Sequence, residues 1–202
     1  MKGLCAVALV GVMLLTGASL ARAQSDDNEV GEDGNAYTLH GAYAGLGASW
    51  LVSGFQGEFK PQDFGNSWGF NGRGGYRFFP WFAAEALLEY GNEYYARAAG
   101  SSGQARTLST TVAAKFILPL DRFQPYLTLG GGFLRAETEN NGGFVRNIGS
   151  NDIGFAGRIG AGVDFYLTPH WSVFVDNGWT MATKDTADLY YYALGFGGRY
   201  NF

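Results

Sequence analysis

Three features of the chain predict an all-β fold: an eight-stranded antiparallel transmembrane β-barrel with up-and-down topology. The last segment, Tyr190 to Phe202, alternates large apolar or Gly residues with small or polar ones, so it reads as a strand with two unlike faces. A short export leader opens the chain, and no later segment supplies the ~20 apolar residues of a spanning helix. Between them, eight strand-like runs are joined by connections that are long and short in strict alternation.

The leader is residues 1–23. Lys2 gives a positive start, Leu4 to Leu15 is apolar, Gly17 breaks the run, and Ala21-Arg22-Ala23 is a small-x-small site, so cleavage is expected after Ala23. The only cysteine, Cys5, lies inside this leader, so the mature chain is expected to have no disulfide, thiol nucleophile or thiolate metal site. Losing Lys2 and Arg22 leaves 12 basic against 18 acidic residues, a formal charge of −6. That balance argues against nucleic acid as a partner, because a basic stripe is absent. Residues 24–36 hold five acids and no base and are expected to be a solvated, flexible leader on the periplasmic side.

Residues 37–202 form the predicted barrel domain. Its candidate strands are 37–51, 67–78, 82–94, 106–118, 123–136, 152–166, 171–181 and 189–202. The expected long connections are 52–66, a Gly/Ser segment at 95–105, 137–151 and 182–188; the short ones are 79–81, 119–122 and 167–170. In a barrel of this kind short turns face the periplasm and long loops face outward. The charged residues mark one face of six strands: Arg73 and Arg77, Glu85 and Glu89, Lys115, Arg158 and Asp164, Asp176, and Arg199. The first and fifth strands are Gly-rich and their faces are not assigned by pattern. Composition agrees with a membrane barrel: 32 Gly, 16 Phe, 12 Tyr, 5 Trp and a mean hydropathy close to zero. Periodicity alone also admits a soluble sandwich or lipocalin-like barrel; the export leader, terminal aromatic and ring placement favour the membrane. Trp81, Phe82, Phe123, Tyr126, Tyr166, Trp171, Tyr200 and Phe202 are expected at the periplasmic interface. Trp50, Trp68, Tyr94, Tyr95, Trp179, Tyr190 and Tyr192 are expected at the outer one.

The segments Gly75-Tyr76-Arg77-Phe78-Phe79-Pro80-Trp81, Phe123-Gln124-Pro125-Tyr126-Leu127, Gly160-Ala161-Gly162-Val163-Asp164-Phe165 and Arg199-Tyr200-Asn201-Phe202 resemble the strand–turn–strand patterns of a known family. It comprises the small eight-stranded outer-membrane barrels of the OmpA-type transmembrane domain and the opacity-like surface proteins. The resemblance spans about 37–202 and implies location in the outer membrane of a Gram-negative bacterium, among outer-membrane lipid and lipopolysaccharide. It also implies that Phe202, with Tyr200 and Phe196, is the signal read by the barrel-assembly machinery. The peptidoglycan-binding domain of full-length OmpA-type proteins is not expected within 37–202, so cell-wall tethering is not part of what the resemblance implies.

The nine inward charges, five basic and four acidic, are expected to pair as an interior network, because an eight-stranded lumen is narrow enough for side chains to fill and buried charge must be partnered. A narrow gated pore lined by the same charges is the alternative. Glu85 and Glu89 stand four residues apart on one strand, ~13 Å along the backbone at ~3.4 Å per residue, wide for a glycosidase pair at ~5–9.5 Å. Pairing with Arg73 or Arg77 is the expected role instead. His40 and His170 are the two histidines, and neither stands in a recognisable triad pattern. Outer-membrane lipid A deacylases and acyltransferases resemble the chain in size and strand count, but their catalytic motifs have no clear match. No catalytic residue, cofactor or metal ligand is therefore assigned. The expected role is structural or surface-interactive, adhesin- or opacity-like, with a small-solute channel as the alternative and a lipid-modifying enzyme as a more remote one. Loops 52–66 and 137–151 are the candidate contact surfaces for a host or surface ligand, through Phe55, Phe59, Phe64 and Phe144.

Overall fold

A computed structural model describes residues 36–55, 66–98, 101–141, 152–182 and 189–202. The expected signal peptide, 1–23, and nearly all of the acidic segment 24–36 lie outside the described residues. So do Phe59, Phe64 and Phe144. Eight strands follow in chain order: β1 (Gly41–Phe55), β2 (Ser67–Phe79), β3 (Phe82–Ala98), β4 (Ser101–Ile117), β5 (Phe123–Asn141), β6 (Asp152–Tyr166), β7 (Trp171–Ala182) and β8 (Leu189–Asn201). Each pairs antiparallel with its sequence neighbours, and β8 pairs back onto β1, from Tyr43↔Asn201 to Phe55↔Leu189, closing an up-and-down barrel without edges.

The register fixes the barrel's shear. The chain of partners from Ala44 runs through Gly74, Ala86, Val112, Gly131, Gly157, Met181 and Tyr190 and returns to β1 at Gly54, ten residues further along. An even offset keeps inward positions inward around the closure, and for eight strands it sets a tilt of roughly 35–45°.

The outward face carries two aromatic-rich rings. Trp50, Trp68, Tyr90, Leu108, Phe133, Phe155, Met181 and Tyr192 form the ring toward the loops. Phe78, Phe82, Leu118, Phe123, Phe165, Trp171 and Phe202 form the ring toward the short turns. Trp68 to Phe78, Phe123 to Phe133, Phe155 to Phe165 and Trp171 to Met181 are each ten residues along a strand. At ~3.3 Å per residue and this tilt, the rings stand about 25 Å apart, the height of an outer-membrane apolar band. Leu46, Phe70, Val112, Leu127, Leu129 and Val175 lie between them and are mostly more than half exposed, the reverse of a soluble barrel's surface. Among the described residues no helix is long and apolar enough to cross a membrane.

Several connections are shorter than the sequence suggests. The Gly/Ser segment expected to form a loop at 95–105 is mostly strand, with β3 running to Ala98 and β4 starting at Ser101. The register shifts between Gly91 and Tyr94, where β3 leaves the membrane band. β5 runs on to Asn141, and β1 to Phe55, so Phe55 is a strand residue opposite Leu189 and not a loop residue. Outside the lipid a strand needs backbone partners but no apolar face, so composition does not mark its end. At the other rim, Pro80-Trp81 turns β2 into β3. Asp121, at φ 52°, lets the chain turn from β4 into β5.

Candidate functional site

Inside the barrel, the polar residues of all eight strands meet in three levels. Each is placed there by the two-residue period of its strand, so one charge per strand fixes the facing of its neighbours.

The middle level joins three cations to three carboxylates. Lys115 Nζ lies 2.7 Å from Asp164 Oδ2, which also accepts a hydrogen bond from Arg199. Glu85 Oε2 lies 3.3 Å from Arg199, 3.7 Å from Lys115 and 2.9 Å from the Tyr43 hydroxyl. Arg73 donates to Asp176 at 2.8 Å and stands 3.8 Å from Glu85. Rings complete the shell: Lys115 lies 3.7 Å from the Tyr126 centroid, Arg73 3.7 Å from Phe174, and Arg199 4.7 Å from Tyr43. Lys115 is 0% and Arg199 2% exposed, so at this level the lumen is filled by protein.

The level toward the outer surface is built on Glu89. It accepts from Arg158 at 3.0 Å, from Tyr191 at 2.9 Å and from Ser49 at 3.0 Å. Arg158 also donates to Thr180 at 2.9 Å, and Tyr191 is 2.9 Å from the Ser109 hydroxyl. Asn71 links the two levels, donating to Ser49 at 2.8 Å and accepting from Arg73 at 3.1 Å. A cavity of about 10 Å³, room for one water, lies between Glu85, Asp176 and Arg158. Above Glu89, Leu51, Leu134, Ala156, Ala182 and Ala193 share one buried cluster with Tyr191, beside the buried Ser67 and Thr107.

The periplasmic level uses the chain's own backbone. The Tyr37 carbonyl accepts from Gln124 at 2.9 Å and from Arg77 at 3.2 Å. Arg77 also donates to the Pro80 carbonyl and, at 3.2 Å, to the Tyr166 hydroxyl. The Tyr37 ring packs 5.8 Å from Tyr166, and Thr38 is fully buried. The segment before β1 thus lies across the mouth of the lumen.

All nine residues singled out as inward charges point into the lumen, and of the expected pairs Glu85 with Arg73 forms, at 3.8 Å. Glu85 and Glu89 belong to different levels. Glu85 sits nearer to Arg199 and Lys115 than to Arg73, and Arg77 donates to the Tyr37 and Pro80 carbonyls and the Tyr166 phenol. Tyr126 and Tyr166, expected in the periplasmic aromatic belt, are inward and only 4% exposed. They share the parity of Gln124 and Asp164, which are each other's cross-strand partners. Sequence reasoning did not select Tyr43, Ser49, Asn71, Ser109, Phe174 or Tyr191. The parity of Tyr191 with Arg199 was a usable signal. β1 carries no charge to mark its inner face. The glycines opposite these rings make the room: a Cβ on Gly162 would lie 2.6 Å from the Tyr126 ring, and one on Gly75 2.5 Å from that of Tyr43.

At the chain end, Tyr200 and Phe202 stack edge-to-face at 5.2 Å and Phe196 faces outward, 6.4 Å from Trp68. His170 Nδ1 lies 3.0 Å from the Asn201 carbonyl and its ring stacks on Tyr200 at 5.8 Å. Among the described residues no group of three His, Cys, Asp or Glu could hold a metal ion.

This closed barrel, with its lipid-height apolar band and polar filled interior, is an outer-membrane architecture. Over residues 10–202 the chain matches the outer membrane protein beta-barrel domain family, and it belongs to that family. It is an outer-membrane protein of the Gram-negative type. Solved barrels share the fold at low identity. Neisserial surface protein A is 16% identical, with a TM-score of 0.60 over 80% of this chain and 97% of its own. OprG from Pseudomonas aeruginosa is 12% identical, TM-score 0.56, covering 80% and 96%. Ail, the attachment invasion locus protein of Yersinia pestis, is 15% identical, TM-score 0.54, covering 80% and 97%, in its complex with the heparin analogue sucrose octasulfate. No curated protein matches the chain in sequence.

Proposed function

We propose that this protein is a closed-lumen barrel that supports the outer membrane and presents its outer loops as an interaction surface, without catalysis. The observation that carries the reading is the middle level, where Lys115, Asp164, Arg199, Glu85 and Arg73 are each at most 5% exposed and fill the lumen. A lumen used in this way neither conducts nor admits a substrate. The same charges therefore act as a structural plug. The partners are outer-membrane lipid and lipopolysaccharide around the band, and a host or surface ligand at the loops, for which Phe59, Phe64 and Phe144 are the sequence candidates. That one structural neighbour was solved with a heparin analogue supports the idea of a loop-borne ligand site. Phe202, Tyr200 and Phe196 share the outward face at the end of β8, a position suited to recognition by the barrel-assembly machinery before closure.

The test is single-channel conductance of the protein, purified from outer membranes and inserted in a planar bilayer, with folding checked by heat-dependent gel mobility. Absence of steps from a folded, inserted sample is expected. Stable steps whose size changes in Arg158→Ala or Glu89→Ala would replace the plug with a pore.

A further inference from the structure

The lipid-facing wall carries one polar side chain that acyl chains cannot satisfy. Between the two rings the outward residues of all eight strands are apolar, glycine or aromatic, except Thr110 on β4 and Asn177 on β7. Thr110 stands one outward step below Leu108, at the edge of the ring toward the loops. Asn177 is six residues from Trp171 and four from Met181. At ~3.3 Å per residue and the barrel's tilt, it lies about 15 Å from the ring at the short turns and about 10 Å from the other, within the hydrocarbon. Its chain neighbours face the lumen: Asp176 pairs with Arg73, and a Cβ on Gly178 would strike the Arg158 guanidinium. Asn177 itself is exposed, and among the described residues its side-chain amide has no hydrogen-bond partner. Its partners in register are Ala161 on β6 and Leu194 on β8. Acyl chains offer neither donor nor acceptor, so an amide left alone at this depth is costly.

We propose that Asn177 is the centre of an interface between two copies of this chain in the membrane. All copies cross the membrane in the same orientation, so a twofold axis along the membrane normal sets equal depths against one another, and Asn177 meets the Asn177 of the second copy. A primary amide is self-complementary: each N–H₂ donates to the other's carbonyl, and the pair closes with two reciprocal hydrogen bonds. Packed β faces stand about 10 Å apart, a gap that two Asn side chains joined by bonds of ~2.9 Å can span. Ala161 and Gly157 keep the β6 side of this wall low, with nothing within 4 Å of a Cβ at Gly157, so a second barrel can approach. The second copy is the occupant selected, because it brings the matching donor and acceptor to this depth. This inference stands on the barrel's place in the membrane and is independent of the closed lumen.

Energy transfer between donor-labelled and acceptor-labelled copies tests it. The protein is purified from outer membranes with one introduced cysteine, Leu167→Cys, at an exposed turn position, and is labelled there. It is reconstituted into phosphatidylethanolamine/phosphatidylglycerol vesicles over a range of protein-to-lipid ratios, with folding checked by heat-dependent gel mobility. The chain with Asn177 intact is expected to show transfer above that of random proximity, saturating as a pair. Asn177→Leu should move the midpoint to a roughly tenfold higher protein-to-lipid ratio. Asn177→Gln should keep part of the association, Ala161→Trp should block it, and Thr110→Val should leave it unchanged. Asn177→Leu removes no hydrogen bond within the barrel, so its urea unfolding midpoint at high dilution should not fall. Transfer no greater than random proximity at every ratio would assign the amide to lipid and overturn the pair. A midpoint for Asn177→Leu within twofold of that with Asn177 intact would overturn Asn177 as its centre.

Discussion

Asp164→Asn removes one negative charge from a level of the lumen where Lys115, Arg199 and Arg73 face Asp164, Glu85 and Asp176. Asp164 is 2.7 Å from Lys115 and also accepts from Arg199, and both cations are at most 2% exposed. Deleting one partner of a buried pair costs about 3–5 kcal/mol, because the remaining charge stays desolvated. Glu85 stays within 3.7 Å of Lys115 and 3.3 Å of Arg199 and recovers part of this, so the expected loss is about 3 kcal/mol. Adding Lys115→Met removes one of the stranded cations with similar volume and returns the level to balance. That double variant is expected within about 1 kcal/mol of wild type, since an apolar replacement for a buried pair is often neutral. The assay is urea unfolding from lipid vesicles, followed by tryptophan fluorescence, with the folded fraction checked by heat-dependent gel mobility. A single variant within about 1 kcal/mol of wild type, or a double variant no better than the single, would show that the network is not what holds this level together.

Tyr191→Phe removes the hydroxyl that meets Glu89 and Ser109 and should cost about 1–2 kcal/mol in the same unfolding assay while leaving the membrane-inserted fraction unchanged. Gly132→Ala puts a Cβ against the Thr110 backbone carbonyl, well inside contact distance, and should destabilise by about 2 kcal/mol or more; Gly157→Ala and Gly198→Ala, with nothing within 4 Å, should be near neutral. Phe202→Ala should lower the fraction of cellular protein recovered as heat-modifiable, membrane-assembled barrel, and should do so more than Leu194→Ala at a mid-band outward position.

The strand number, the closure and the inward facing of the charged residues were legible because one side chain in two had to suit lipid and the other had to suit a polar interior. Arg73, Glu85, Lys115 and Arg199 each declare the parity of their strand. β1 and β5 had no such marker: their inner faces are Tyr43, Gly47 and Ser49, and Tyr126, Gly130 and Gly132, and small residues read the same on both faces. The pairs were legible only in part, Glu85 standing 3.8 Å from Arg73 as expected. Which carboxylate meets which base depends on the ten-residue shear, which is why Glu85 reaches Arg199 and Lys115 while Glu89, four residues on, meets Arg158. The ends of β3, β4 and β5 were underestimated for a related reason. Gly and Ser at 100–103 and Asn at 140–141 are loop-like in composition, yet backbone pairing continues through most of them once the barrel supplies a partner strand.

The lumen is closed three times, by three different kinds of contact. At the periplasmic end the Tyr37 carbonyl is held by Gln124 and Arg77; at mid-height six opposite charges interlock; near the outer end Leu51 and Leu134 meet among alanines. A solute crossing the barrel would have to displace a backbone strap, separate buried ion pairs and pass an apolar layer, and relief of any one would leave the other two. Single substitutions in the charge network should therefore cost stability without creating conductance. A pore, by contrast, would respond in current before it responded in stability. Measuring both quantities on Asp164→Asn separates the two roles: a loss of about 3 kcal/mol with no channel steps is the signature of a plug, whereas new steps at near-wild-type stability would place the resistance to flow at that one level and make the lumen a gated path.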